Sequence, residues 1–220
     1  MSAFPGSPRI LKGGVVLLDP DSFTLLPNGV IVLQYNPDTL TRSFKIKGAE
    51  EGGDRSEALR LTGPPVETIK LEAEIDATDQ LEQPDENPAT VQNGIAPQLA
   101  RLETLVYPAS ASLQNNFNIA QQGALEIMPI LSPLALFVWS ANRIVPVRIT
   151  ELTVTEEAFD PSLNPLRAKL SLSLRVLTVD DLYFNDKGGS LYMTYQQQKE
   201  RLATLAQPGT LNALGLKGIP

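Results

Sequence analysis

Glu72 and Glu74 stand two residues apart in a strictly alternating segment, which puts both carboxylates on one face of a strand, as a general acid–base pair would need. Asp76, Asp79, Asp85 and Glu86 follow and supply oxygen ligands of the kind that hold Ca²⁺, yet they lack EF-hand spacing and its pivot glycine. Asp180-Asp181 could attract a cation, but aspartates after an alternating run more often shape a turn. The chain has no His and no Cys. The commonest general base, the strongest natural nucleophile and thiolate metal ligation are therefore missing. Ser110 and Ser112 lie outside any nucleophile-elbow pattern, with no histidine to activate them. The pairs Gly13-Gly14, Gly52-Gly53 and Gly188-Gly189 fit neither a phosphate-binding loop nor a dinucleotide fingerprint. Trp139 with Phe137 could stack on a sugar, although aromatics in an apolar strand usually belong to a core. The inventory predicts no catalytic, cofactor or metal site, and hence no enzyme.

The elements that carry these residues belong to an ordinary globular composition. The chain has 220 residues, 42% of them hydrophobic and 20% charged, enough for one large domain with a modest appendage. Its 18 prolines and 15 glycines fall between apolar runs, as turns between short strands do. A net charge of −7 and a pI near 4.7 argue against nucleic acid and against anionic lipid as partners. The start, Met1 to Gly6, has no basic segment leading into an apolar one, so no secretory signal is expected. The longest apolar stretch, near Leu134 to Val138, is too short to span a bilayer. With no cysteine, this reads as a soluble protein of the cytoplasm.

Two β segments open the chain. Arg9 to Leu18 ends at Asp19-Pro20-Asp21-Ser22, and Pro27-Asn28-Gly29 launches Val30 to Tyr35. The run Val30 to Leu33 predicts a central strand buried on both sides. Arg42 to Lys47 alternates, with Phe44 and Ile46 on one face, and Glu50 to Gly63 reads as a mobile surface loop. Ile69, Leu71, Ala73, Ile75 and Ala77 predict one buried face, opposite Lys70, Glu72, Glu74 and Asp76. Asp79 to Pro88 breaks that strand. Ile95, Leu99, Leu102 and Leu105 or Val106 recur at helical spacing up to Tyr107-Pro108, and Ala109 to Gln122 reads as a polar loop or arm.

A second β block begins at Leu134. Ser140-Ala141-Asn142 predicts a hairpin turn, and the alternation of Val145, Val147 and Ile149 resumes at Leu152 and Val154 one residue out of phase, which predicts a β-bulge. Ala168, Leu170, Leu172, Leu174 and Val176 form one face of a further strand that pairs with the stretch before it. Leu191, Tyr195, Leu202 and Leu205 mark a C-terminal helix. Beyond it, Leu211 to Pro220 reads as an apolar tail that waits for a partner.

Two blocks carry a resemblance. The first is Leu33-Gln34-Tyr35-Asn36-Pro37-Asp38-Thr39-Leu40-Thr41-Arg42-Ser43. The second runs from Phe137-Val138-Trp139-Ser140 through Phe159-Asp160 to Asn164-Pro165-Leu166-Arg167-Ala168-Lys169-Leu170. In order and spacing these resemble contractile injection system tube-type proteins over about residues 10–180. Asn164 and Ser140 stand where that family often has glycine, and both tolerate turn geometry.

The resemblance implies a mainly β (α+β) fold: two packed antiparallel sheets forming a barrel or sandwich with a flanking helix, here over 1–180. A C-terminal helix and docking tail would fill 181–220. It implies a homo-oligomeric ring, expected to be a hexamer, that closes around a lumen by pairing strands between neighbours. Its partners would be tube protein, spike protein and baseplate components, and it would assemble from the cytoplasm into a contractile particle. Tyr35, Asn36, Pro37, Trp139, Phe159, Asp160, Pro165, Arg167 and Ala168 are the motif positions, with Arg167 the candidate for an inter-subunit or loop-fixing ion pair. Leu191, Tyr195, Leu202 and Leu205 would form the docking element.

Some relatives continue into a LysM peptidoglycan-binding module, for which residues 181–220 are too short. That favours an adaptor or tube initiator over a major inner-tube protein. The rival readings are a carbohydrate- or cell-wall-binding β-sandwich, and a hydrolase built on Glu72 and Glu74.

Overall fold

The computed structural model describes residues 11–48, 59–122 and 131–219. The expected signal-free start, most of the Glu50–Gly63 loop with Gly52-Gly53, and the last residue of the tail lie outside the described residues.

Among the described residues seven antiparallel strands form one sheet in the order β2-β1-β5-β6-β7-β4-β3. They are β1 (Gly14–Leu18), β2 (Leu25–Val32), β3 (Leu40–Lys45), β4 (Val66–Asp76), β5 (Leu134–Ser140), β6 (Arg143–Phe159) and β7 (Pro165–Val176). Five α-helices accompany them among the described residues: α1 (Thr78–Leu81), α2 (Pro88–Asn93), α3 (Ala96–Glu103), α4 (Ser110–Gln121) and α5 (Lys187–Thr204). The fold is mainly β with helices, as expected. The sheet curls until Val15 and Leu33 from one end meet Leu71, Leu172 and Leu174 from the other around Phe137. Two facing layers result, sandwich-like, and both are halves of one ladder that does not close between β2 and β3.

The clean alternations hold. Ile69, Leu71, Ala73 and Ile75 of β4 and Ala168, Leu170, Leu172, Leu174 and Val176 of β7 are all buried. Pairing those two strands stacks both apolar faces on the same side of the sheet. The predicted bulge lies between Ile149 and Glu151, where the β6–β7 register shifts and the Thr150 hydroxyl donates to the Ser173 carbonyl. α3 buries Leu99 and Leu102, with Ile95 just ahead of it.

Three expectations change. Val30 to Leu33 is not a central segment buried on both sides: β2 is an edge strand, with Val30 43% and Val32 56% exposed while Ile31 and Leu33 are buried. An apolar run alone does not tell whether its second face is covered. Nor does Pro27-Asn28-Gly29 launch the strand from outside: β2 already begins at Leu25 and contains all three residues. The three residues swell the strand where the β1–β2 register shifts, with Asn28 at φ 56. The polar stretch after Pro108 is the helix α4, in which no residue is buried, so it has no amphipathic pattern to betray it.

Candidate assembly surfaces

Both motif blocks converge on the last residue of β4. The Gln34 side chain accepts from the Asp76 N–H at 3.0 Å and donates to the Asp76 carbonyl at 2.7 Å, so its amide acts as one residue of a neighbouring strand. From the second block, Arg167 Nη2 meets the Asp76 carboxylate at 2.7 Å and Arg167 Nε lies 3.4 Å from Glu74. Arg167 is therefore in a cross-strand ion pair within its own chain. The Thr78 hydroxyl, more than Arg167, holds the Asp76 carboxyl below the usual carboxylate range.

The flanking motif residues fasten the same corner. Asn36 accepts from the Gly13 N–H and donates to the Leu11 carbonyl, closing the entry to β1. Tyr35 donates to Asp79 at 3.3 Å, which helps raise its phenol above its ordinary pKa, after the larger effect of burial. Pro37 lies beside them in the link to β3. Asp160 shapes the β6–β7 turn by accepting from the Ser162 and Asn164 N–H groups and from the Asn164 amide, and these bonds keep its pKa low. Phe159 is half exposed. Asn164 donates on to the Gln92 carbonyl, and the Pro165 carbonyl accepts from Ile95. At Gly94 (φ 56) an added Cβ would collide with that same Pro165 carbonyl, so only glycine allows α2 to turn into α3 against β7. Ala168 is in the core, and Trp139 is partly buried and stacked on Phe137 at 5.9 Å.

A buried polar cluster on β4 has no signature in the residue pattern. Glu67, 2% exposed, accepts from Arg42 at 2.8 Å and from the Tyr195 hydroxyl at 2.9 Å, and its other oxygen lies 3.6 Å from Lys199. Arg42 also donates to the Tyr195 oxygen at 3.0 Å. Burial pushes the Tyr195 phenol up and the Lys199 ammonium down. These contacts tie α5 to β3 and β4. Tyr195 thus faces its own core, as does Tyr192, while Leu191 packs in a second cluster with Phe23 and Leu182. Of the four expected docking residues, Leu202 and Leu205 are exposed.

The other acidic candidates separate. Asp180 pairs with Lys47, and Asp181 pairs with Arg175 and accepts from the Thr178 N–H. No group of three or more potential metal-binding side chains occurs among the described residues. Glu72 and Glu74 border an open depression of about 680 Å³ beneath the Tyr35–Thr39 link. Around it, Lys70, Lys169, Ser171, Glu151, Thr153 and Thr155 are all exposed, so the outer face of β4, β7 and β6 is polar.

The sheet borders differ in how they end. At β2 the Arg101 guanidinium donates to the carbonyls of Asn28 and Val30 at 2.6 and 2.7 Å. β5 pairs with β6 only as far as Val147, so the outer border of β6 from Arg148 to Phe159 has no strand beside it among the described residues. Leu177 donates to Pro146, which sets the odd-numbered residues of β7 facing β6. In register, Glu151, Thr153, Thr155 and Glu157 then point their backbones at β7, and Leu152, Val154 and Glu156 point theirs outward.

The profile of the contractile injection system tube protein family matches residues 15–182. The chain belongs to that family. The matched span covers every strand except the first residue of β1 and stops before α5, although α5 supplies Tyr192 and Tyr195 to the core. A search of curated proteins gave no match. Among solved structures, a chain described as "Virion of native gene transfer agent (GTA) particle" is 10% identical, with 80% of this chain and 99% of that chain covered, at a TM-score of 0.27. A TM-score that low has no weight for fold or function. For this tube-family protein, no helix among the described residues is long and apolar enough to cross a membrane.

Proposed function

We propose that the chain is a structural subunit of a contractile injection system that closes into a ring, hexameric and non-enzymatic, as an adaptor joining inner tube, spike and baseplate. The observation that carries this is the outer border of β6, whose outward N–H and C=O groups from Arg148 to Phe159 await a partner strand. The β2 border, by contrast, is stopped by Arg101. A strand from the next copy laid along β6 satisfies those groups, and repetition about a closed rotation makes a ring. The polar outer face of β4, β7 and β6 would then line a water-filled lumen that binds nothing tightly.

Assembly takes place in the cytoplasm, with tube, spike and baseplate proteins as neighbours, and without nucleic acid or membrane insertion. The net charge of −7 supports that last part. The carbohydrate-binding reading has less behind it, since Phe137 is buried and Trp139 is partly buried and stacked on it. Electron microscopy of the purified protein tests the proposal, with rings of sixfold symmetry as the expected result and isolated monomers as the opposing one.

A further inference from the structure

Every residue from Arg201 to Ile219 is exposed, yet the stretch is not formless. Thr210 caps a 3-10 turn over Leu211–Leu214, Gly215 closes it at φ 72, and the Leu216 N–H returns to the Leu211 carbonyl. The leucines are gathered on this turn with no core of their own chain beneath them. Large apolar side chains held out in water in this way mark an interaction site.

The matching recess is elsewhere on the molecule. A groove of about 1000 Å³ is lined by Pro20, Leu26, Leu105, Tyr107, Leu131 and Pro133, with Tyr107 and Leu131 each 70% exposed. Leu18 pairs with Leu134, so the groove lies at the start of β5. Helix α5 begins at that same end, where Lys187 donates to the Phe23 carbonyl, and its Gln198 meets Asn142 in the turn that follows β5. At 1.5 Å per residue, this helix carries the chain roughly 27 Å from the groove before the tail begins. The tail therefore leaves from the end of α5 that lies away from the groove. For a tail to enter its own groove it would have to double back along α5 and unroll its capped turn. Charge agrees with an encounter between copies: Lys217 is the one charged residue after Arg201, and Asp19 stands at the groove.

We infer that the tail of one copy, through Leu211, Leu214 and Leu216, seats in the Tyr107–Leu131 groove of a second copy, joining subunits head to tail. The contact is heterologous, one surface on each partner, so it can propagate from copy to copy. It rests on the reading of the chain as a self-assembling subunit, but it uses a different surface from the β6 border.

Because the chain has no cysteine, introduced thiols report the contact directly. Full-length Leu214→Cys and Leu131→Cys proteins, purified separately, mixed and oxidised, should give a disulfide-linked mixed dimer at least tenfold above a control mixture of Leu214→Cys with Ser162→Cys. The double variant should give a ladder of linked multimers. Both positions are exposed, and unchanged unfolding midpoints would show that the variants fold. A yield no higher than the control, or a double variant that cross-links only to itself as a monomer, overturns the inference. Sixfold rings seen alongside that result would leave the ring proposal standing, so the two can fail separately.

Discussion

Gln34 is a side chain standing in for a strand: its amide makes both backbone hydrogen bonds of Asp76, at 3.0 and 2.7 Å, at the point where β3 no longer accompanies β4. The link between the first motif block and the second runs through that one residue, because the Asp76 carboxylate also holds Arg167.

Gln34→Leu leaves the Asp76 N–H and C=O without partners at a part-buried site. The expected loss is about 1–3 kcal/mol of stability, the cost of unpaired polar groups. Urea unfolding checks it. A Gln34→Glu variant should be affected too, since a carboxylate cannot donate to the Asp76 carbonyl.

Glu67→Ala strands Arg42 and the already disfavoured Lys199 charge without their carboxylate. Breaking a buried pair in this way costs roughly 3–5 kcal/mol. Tyr195→Phe removes a single hydroxyl whose partners are both charged and should cost about 1.5–3 kcal/mol. Calorimetry or denaturant titration separates the two. A chain cut after Leu182, the end of the family match, should fail to fold stably, because Tyr192 and Tyr195 leave the core with α5.

Acid should unfold the protein through Asp76 and Asp160. Hydrogen bonds from Thr78 and from Asn164 respectively lead the effects that hold each below its ordinary value. A lowered folded pKa gives stability that is complete above the unfolded value of about 3.9 and is lost as pH falls through the folded one. Urea midpoints measured from pH 7 to pH 2 should therefore decline below about pH 4, and less steeply in Asp76→Asn and Asp160→Asn.

Arg101→Ala exposes the Asn28 and Val30 carbonyls on a border that already shows Val30 and Val32 to water. An uncapped apolar edge recruits other strands. Light scattering should show irregular aggregation that the parent chain lacks, with the unfolding midpoint changed little.

How much of this could be read from the residues depends on how local the cause is. β4 and β7 were legible because one face of each is core and the other is water, so every second residue reports its side. The bulge at Thr150 was legible for the same reason, as a break in that rhythm. β2 misled because β-branched residues look alike at an edge and in the middle. α4 misled because a helix that buries nothing has no stripe. The Glu67 cluster was out of reach: Arg42 and Tyr195 lie 153 residues apart and meet only after folding. The helical period through Leu191 and Tyr195 was visible, but not that it faces inward, since an apolar face destined for one's own core is spelled like one destined for a neighbour.

In the proposed ring the outward backbone of β6 joins one subunit to the next. Glu156→Pro removes an outward N–H while leaving the pairing of Thr155 and Glu157 with β7 intact. Mass measurement by light scattering after size exclusion, with electron microscopy of the same fractions, compares it with the parent. Sixfold rings are expected from the parent and a folded monomer from Glu156→Pro. A parent chain that remains a monomer at high concentration, or a proline variant that forms the same rings, would contradict that role of β6.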